Sequence, residues 1–181
     1  MKTNGARLLE SLGIHFELQE YEVDPSNPQD LSALTVARKI GMPPEQVFKT
    51  LLTTSGPNSY YFAVIPGNAE LDFKKLARAI AGVPSDRSSS MGWSAGLRKA
   101  EMVPVKDVQP LTGYIRGGVT VFGAKKPFPV FVDETAILFD KISVSAGTQG
   151  TQLILAPADY LRATKARTAD LTKSAPEGHA P

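Results

Sequence analysis

Lys49 lies within Val47-Phe48-Lys49-Thr50-Leu51-Leu52-Thr53, a run of apolar and β-branched residues whose pattern predicts a strand. Period-two alternation puts its side chain on the same face as Val47 and Leu51, where an ammonium without a partner would be costly. It must snorkel to water or project into a polar pocket. A lysine guarding an edge strand against unwanted pairing fits the same pattern, and the sequence alone leaves both readings open. A second feature is Tyr114-Ile115-Arg116-Gly117-Gly118-Val119. Two glycines entering a strand let a ligand approach the main chain and can expose amide N–H groups to an anion or a developing oxyanion. A plain hairpin turn explains them equally well. Ser145-Ala146-Gly147-Thr148-Gln149-Gly150 is a third loop of small residues.

The other residue types narrow the chemistry. There is no cysteine, which excludes disulfides, thiolate zinc sites and a cysteine nucleophile of the protein's own, and fits a reducing cytoplasm. Of the two histidines, His15 falls on the presumed solvent side of a strand and His179 near the chain end, so neither suggests a catalytic triad or a metal centre. Asp133 and Glu134 are adjacent and, if strand-like, face opposite sides. Gly117-Gly118 lacks the spacing of a P-loop or a dinucleotide fingerprint, and no metal or cofactor is expected. Chemistry falls to lysines, hydroxyls, backbone amides or the substrate itself.

The elements that must position these groups can be read from periodicity. The spacing predicts helices over 4–12, over 33–40, from a cap at Asp72 to about Gly82, and from Pro157 to about Ala166. Ile14-His15-Phe16-Glu17-Leu18-Gln19 alternates as a strand with Ile14, Phe16 and Leu18 inward. Residues 47–54 and 60–65 flank Gly56-Pro57-Asn58 as a hairpin. Short strands are expected near 99–103, 119–122, 129–132, 141–145 and 151–155. The Ser- and Gly-rich stretch 83–97 reads as a mobile loop that Trp93 pins. Helices and strands mix without a βαβ rhythm, which predicts an α+β fold: a strongly curved mixed β-sheet or barrel-like core with flanking helices.

The 181 residues, 42% hydrophobic, suit one domain over 1–170 with a disordered tail over 171–181. No stretch approaches the ~20 apolar residues of a membrane span, and the N-terminus lacks a secretory signal. The formal charge of +2 rules out a general polycationic coat, but it is uneven. Residues 1–30 carry a net −4 and residues 98–126 a net +4, a basic stretch suited to a polyanion or to a solvated surface of mixed charge.

Five segments follow in order: GMPPEQVFKTLL at 41–52, LDFKKLARAI at 71–80, KAEM at 99–102, TGYIRGGVTVFGAKKPFPVFVD at 112–133 and ISVSAGTQGTQLIL at 142–155. Taken together, over about residues 5–168, the chain resembles the YbaK family of aminoacyl-tRNA deacylases, relatives of the editing domain inserted in bacterial prolyl-tRNA synthetases. The resemblance implies a cytoplasmic enzyme that hydrolyses the ester of a mischarged tRNA, most often Cys-tRNA(Pro), with Ala-tRNA(Pro) or another small amino acid as the alternative. A non-catalytic module that binds tRNA or a synthetase is the alternative outside the enzyme class.

By the same resemblance Lys49 matches the essential lysine and Gly117 the glycine whose N–H lies at the reacting carbonyl. Tyr21, Thr50 and Ser145 match pocket residues, and Gly118 and Gln152 are expected to bind substrate with them, Gln152 standing where several members carry an acidic residue. The attacking group is water or the substrate's own thiol. The implied partners are the acceptor end of a mischarged tRNA and prolyl-tRNA synthetase.

Overall fold

In the computed structural model, residues 2–83 and 99–174 are described. Three of the helices start where a side chain satisfies free amides. Thr3 accepts from Ala6 N–H at the start of α1 (Asn4–Ser11), Ser32 from Thr35 N–H at α2 (Ala33–Ile40), and Asp72 from Lys74 and Lys75 N–H at α3 (Phe73–Ala81). Pro157 opens α5 (Pro157–Thr164) at the one position where its missing N–H costs nothing.

The predicted hairpin forms as β2 (Phe48–Thr54) and β3 (Tyr60–Pro66), antiparallel, with Lys49 opposite Ile65. Around it are β1 (Glu17–Glu20), β4 (Glu101–Met102), β5 (Val130–Asp133), β6 (Ile142–Ser145), β7 (Thr151–Leu155) and β8 (Arg167–Ala169). One sheet runs β4-β2-β3-β5-β8 and the other β1-β7-β6. The pairs β3–β5 and β5–β8 are parallel and the rest antiparallel, so the sheet is mixed as expected. The two sheets touch through a bridge between Val47 and Ser143 and do not close into a barrel.

Alternation along β3 explains the two-sided burial. Phe62 and Val64 face the main core with Phe48, Leu52, Val132, Val144 and Leu153. Tyr61, Ala63 and Ile65 face a second cluster with Leu76 and Ile80 of α3 and with Leu171.

Four expectations differ from the structure. Residues 119–122 form no strand, because the Phe122 carbonyl accepts from the Tyr114 hydroxyl at 2.5 Å rather than from a neighbouring strand. A helix, α4 (Val105–Thr112), occupies a stretch read without one, its signal masked by Pro104 before it and Pro110 inside it. Leu18 is exposed, since β1 is an outer strand whose four residues all face solvent, while Ile14 is buried. The ordered body also runs past residue 170: Leu171 is fully buried, Thr172 bridges Leu71, and Lys173 N–H donates to the Glu70 carbonyl. Most of the loop read over 83–97, with Trp93, and residues 175–181 lie outside the described residues.

Asp133 ties this C-terminal return to the sheet. Its carboxylate, 1% exposed, accepts from Leu171 N–H at 2.9 Å and from the Thr135 N–H and hydroxyl at 3.2 and 2.6 Å. Asp133→Ala leaves the Leu171 amide buried and unpaired, and should lower the unfolding free energy by about 3 kcal/mol. Urea unfolding measures this; an unchanged midpoint would show that the return is not anchored there.

Candidate active site

One cavity of about 620 Å³ brings the sequence candidates together. Lys49, Thr50, Gly117, Ser145 and Gln152 all line it. So do six consecutive residues of one stretch, Val47 to Leu52. Side chains of a strand alternate between faces, so a cavity touched by all six lies along the edge of β2, not over either face. On that edge β4 pairs only with Thr53 and Thr54, and β6 forms a bridge only at Val47.

Lys49 is half-buried, and its ammonium donates to the Gly67 carbonyl at 3.3 Å. Burial pushes its pKa below the ordinary lysine value, and the negative charge of Glu70 opposes the shift in part. No carboxylate within the described residues forms an ion pair with it. The polar-pocket reading therefore describes its place, and the open edge shows that the edge-strand reading shared part of the answer. Gly67 is confined: a Cβ there would sit 2.7 Å from Ala33 Cβ and 2.9 Å from the Val47 carbonyl oxygen.

The twin glycines divide their roles. Gly118 is buried, is not among the lining residues, and spends its N–H on the Ile115 carbonyl at 3.0 Å. Gly117 lines the cavity, and its N–H meets no acceptor among the described residues. Its φ of +83° is a conformation that other residues adopt at a cost, and a Cβ would approach Leu31 Cδ2 to 2.8 Å.

Ser145 Oγ accepts from Gly147 N–H at 3.2 Å, which leaves its hydroxyl proton free to donate. Gln152 is buried; its Oε1 accepts from Ser143 Oγ at 3.1 Å and its Nε2 donates to the Tyr21 hydroxyl at 3.5 Å. Tyr21 thus stands behind Gln152, outside the lining set. Thr50 lines the cavity, yet its Oγ1 is shut off from solvent without a well-formed hydrogen bond, as is the Tyr160 hydroxyl. The phenol is pushed far above its ordinary pKa by burial, with the neighbouring Thr50 hydroxyl opposing the shift.

The sequence matches the profile of the family described as "Aminoacyl-tRNA editing domain" at residues 28–89 and 92–163. The chain belongs to that family. A relative from Enterococcus faecalis, named "Putative Cys-tRNA(Pro)/Cys-tRNA(Cys) deacylase EbsC", is 40% identical over 171 residues, covering 94% of this chain and 93% of its own. Two solved structures share the fold. A "putative trans-editing enzyme for prolyl tRNA synthetase" is 22% identical with a TM-score of 0.74, covering 96% of this chain and 99% of that one. A scaffold protein from epitope backbone grafting is 23% identical with a TM-score of 0.75, covering 97% and 100%.

Sequence reasoning missed the apolar wall of the editing-domain cavity, formed by Leu31, Leu34, Val36, Met102, Val105 and Val108. Half of it comes from α4 and its approach, the stretch whose helix the prolines disguised. It also missed Gly67, which a Pro-Gly-Asn turn after an apolar strand marks only as a turn.

Gly117→Ala is expected to cost about 1–2 kcal/mol through the strained φ and to displace Leu31 into the cavity. Deacylation of a mischarged tRNA should fall at least tenfold, read by release of the labelled amino acid. Wild-type turnover would exclude this backbone position from the reaction.

Proposed function

We propose that this chain is a trans-editing aminoacyl-tRNA deacylase that clears cysteine from the proline tRNA. The observation that carries the reading is the charge of the cavity. Among the described residues its lining includes two cations, Lys49 and Arg116, and no carboxylate or imidazole. Such a site holds an anion and stabilises developing negative charge, but it lacks a conventional general base. An aminoacyl ester suits it, because the ester is already activated and needs mainly positioning and oxyanion stabilisation, at about 3 kcal/mol per donor.

Cysteine suits it best among small amino acids. A thiol of pKa ~8.5 is partly ionised near neutral pH and needs no strong base to attack its own ester carbonyl. In that step sulfur bonds to the carbonyl carbon, the ester C–O bond breaks, and the ribose oxygen leaves and takes up a proton. The Gly117 N–H holds the oxyanion while Lys49 supplies positive charge to the thiolate or the terminal ribose. The cavity volume is within the ~300–1,000 Å³ of small-molecule sites.

The name of the Enterococcus relative agrees with this substrate. Alanine is the second substrate, attacked by water in the same cup. The basic groups Lys99, Lys106, Arg116, Lys125 and Lys126 form no ion pair among the described residues and suit the acceptor-end phosphates. With a net charge of only +2 the chain gains from a partner that presents the tRNA, and prolyl-tRNA synthetase is the partner we propose, in the cytoplasm. Among the described residues no helix is long and apolar enough to cross a membrane, and no cluster of side chains could hold a metal ion.

Lys49→Ala should lower deacylation of Cys-tRNA(Pro) at least a hundredfold and leave the circular dichroism unchanged, since it removes a half-buried charge. Turnover at the wild-type rate would remove the lysine from the mechanism. A serine-charged tRNA should react far more slowly than the cysteine-charged one; equal rates exclude help from the thiol.

The pH dependence has a fixed sign. Burial favours the neutral amine, so the cation is lost at a pH below the ordinary lysine value of 10.5. Catalysis above the spontaneous rate should therefore decline on the alkaline side before pH 10.5. Lys49→Arg, which stays charged, should abolish that decline in whatever activity it retains. An alkaline limb that survives in Lys49→Arg would assign it to another group.

A further inference from the structure

The apolar wall of the cavity divides by depth. Leu31, Val36 and Val108, half-buried or buried, form its inner part. Val36 is 5% exposed and packs with Val47, just before the strand that carries Lys49. Leu31 lies against Gly117, so close that a Cβ on that glycine would come to 2.8 Å from its Cδ2. Leu34, Met102 and Val105 line the same cavity, yet they are 54%, 44% and 66% exposed, which places them at its mouth. They come from three separate elements, α2, β4 and α4, so no single amphipathic surface accounts for their meeting. Apolar side chains exposed singly need no explanation, but several that converge on one opening mark a binding surface. Among the described lining residues the remaining exposed one is Arg116. Its main-chain carbonyl accepts from Gln149 Nε2 at 2.8 Å, which ties this segment to the loop at 147–150.

We propose that this mouth is the subsite for the base of the tRNA's terminal adenosine, held by Leu34, Met102 and Val105, with Arg116 on the phosphate that precedes it. The inference rests on the deacylase reading above and gives that site its nucleoside half. In an aminoacyl ester the reacting carbonyl is bonded to a ribose oxygen, and the base leaves the same sugar at C1′. Base and carbonyl must therefore lie in adjoining parts of one site. On that reading the carbonyl lies inward, beside Lys49 and Gly117, and the inner part of the wall faces the aminoacyl side chain. What adjoins them and opens to solvent, where the rest of the tRNA must remain, is the mouth.

The residue types there fit a base. Its two faces are apolar and its edge is polar, so it is best held by contacts to the faces that leave the edge in water. A thioether such as that of Met102 packs favourably against an aromatic ring. A guanidinium presents several donors in a planar fork, the geometry that suits a phosphate. Leu34, Met102 and Val105 carry no hydrogen-bonding side-chain group, so they hold the base without reading its identity. The constant end of a tRNA requires no more.

Two measurements test it. The first uses 3′-deoxy-3′-(cysteinylamino)adenosine, whose amide link resists cleavage, with the methyl groups of the protein labelled for NMR. The adenine H2 and H8 protons should show Overhauser contacts to methyl groups of Leu34, Met102 and Val105. If the cysteinyl protons contact the cavity while the adenine protons contact none of these three, the subsite is wrong and the deacylase reading stands. If the analogue contacts no cavity residue and no aminoacyl-tRNA is cleaved, the deacylase reading fails and takes the subsite with it.

The second compares that analogue with the same cysteinylamino sugar carrying hydrogen in place of the base. The wild-type protein should bind the adenosine form at least tenfold more tightly. In Leu34→Ser/Val105→Ser that ratio should fall at least fivefold. Both side chains are more than half exposed, so the urea unfolding midpoint should move little. A ratio between the two ligands cancels any general damage to the inner site, and an unchanged ratio would overturn the proposal.

Discussion

A half-buried ammonium at the open edge of a strand is the constraint to which the rest of the molecule answers. Among the described residues the Lys49 ammonium gains no carboxylate, and it donates to the carbonyl of Gly67 at 3.3 Å. Such a charge destabilises the fold unless the frame around it is over-determined. The frame is the β2–β3 hairpin, buried on both faces, whose register sets Lys49 against Ile65 and brings the chain back so that Gly67 follows directly. Glu70, three residues on, offsets part of the burial cost from a distance. A cation held in this way keeps its charge available to whatever enters the cavity.

The gap in the edge has the same origin. Two sheets approach each other at Val47 and Ser143 without merging, and β4 is only two residues long. A longer β4 would extend along Leu52 and Thr50 and fill the cavity with a strand. Instead the chain turns at Pro104 into α4, whose Val105 and Val108 become part of the wall. The short strand and the helix that follows it leave this edge of β2 open to the cavity.

Much of this frame was legible in the sequence, for identifiable reasons. The hairpin, α2, α3, α5, β6 and β7 each carry a clean period bounded by caps or turns, and local rules placed them within a few residues. What escaped depended on distant parts of the chain. β8 exists because Arg167–Ala169 aligns in parallel with β5, a pairing with no local signature. Val119–Phe122 has strand-forming residues but no neighbour to pair with, since Tyr114 caps the Phe122 carbonyl. At the site, residue types pointed to Lys49 and Gly117. Thr50 also lines the cavity, although its hydroxyl is shut off from solvent beside Tyr160.

Among the described residues Lys49 and Arg116 are the ionisable groups that line the cavity, and on the deacylase reading the proton acceptor comes from the substrate or from water. A site of this kind works through fixed charge and fixed amides, which need no reorganisation as the oxyanion forms. It is also selective by default. On the deacylase reading, a bulky aminoacyl side chain would meet the apolar wall of Leu31, Val36 and Val108.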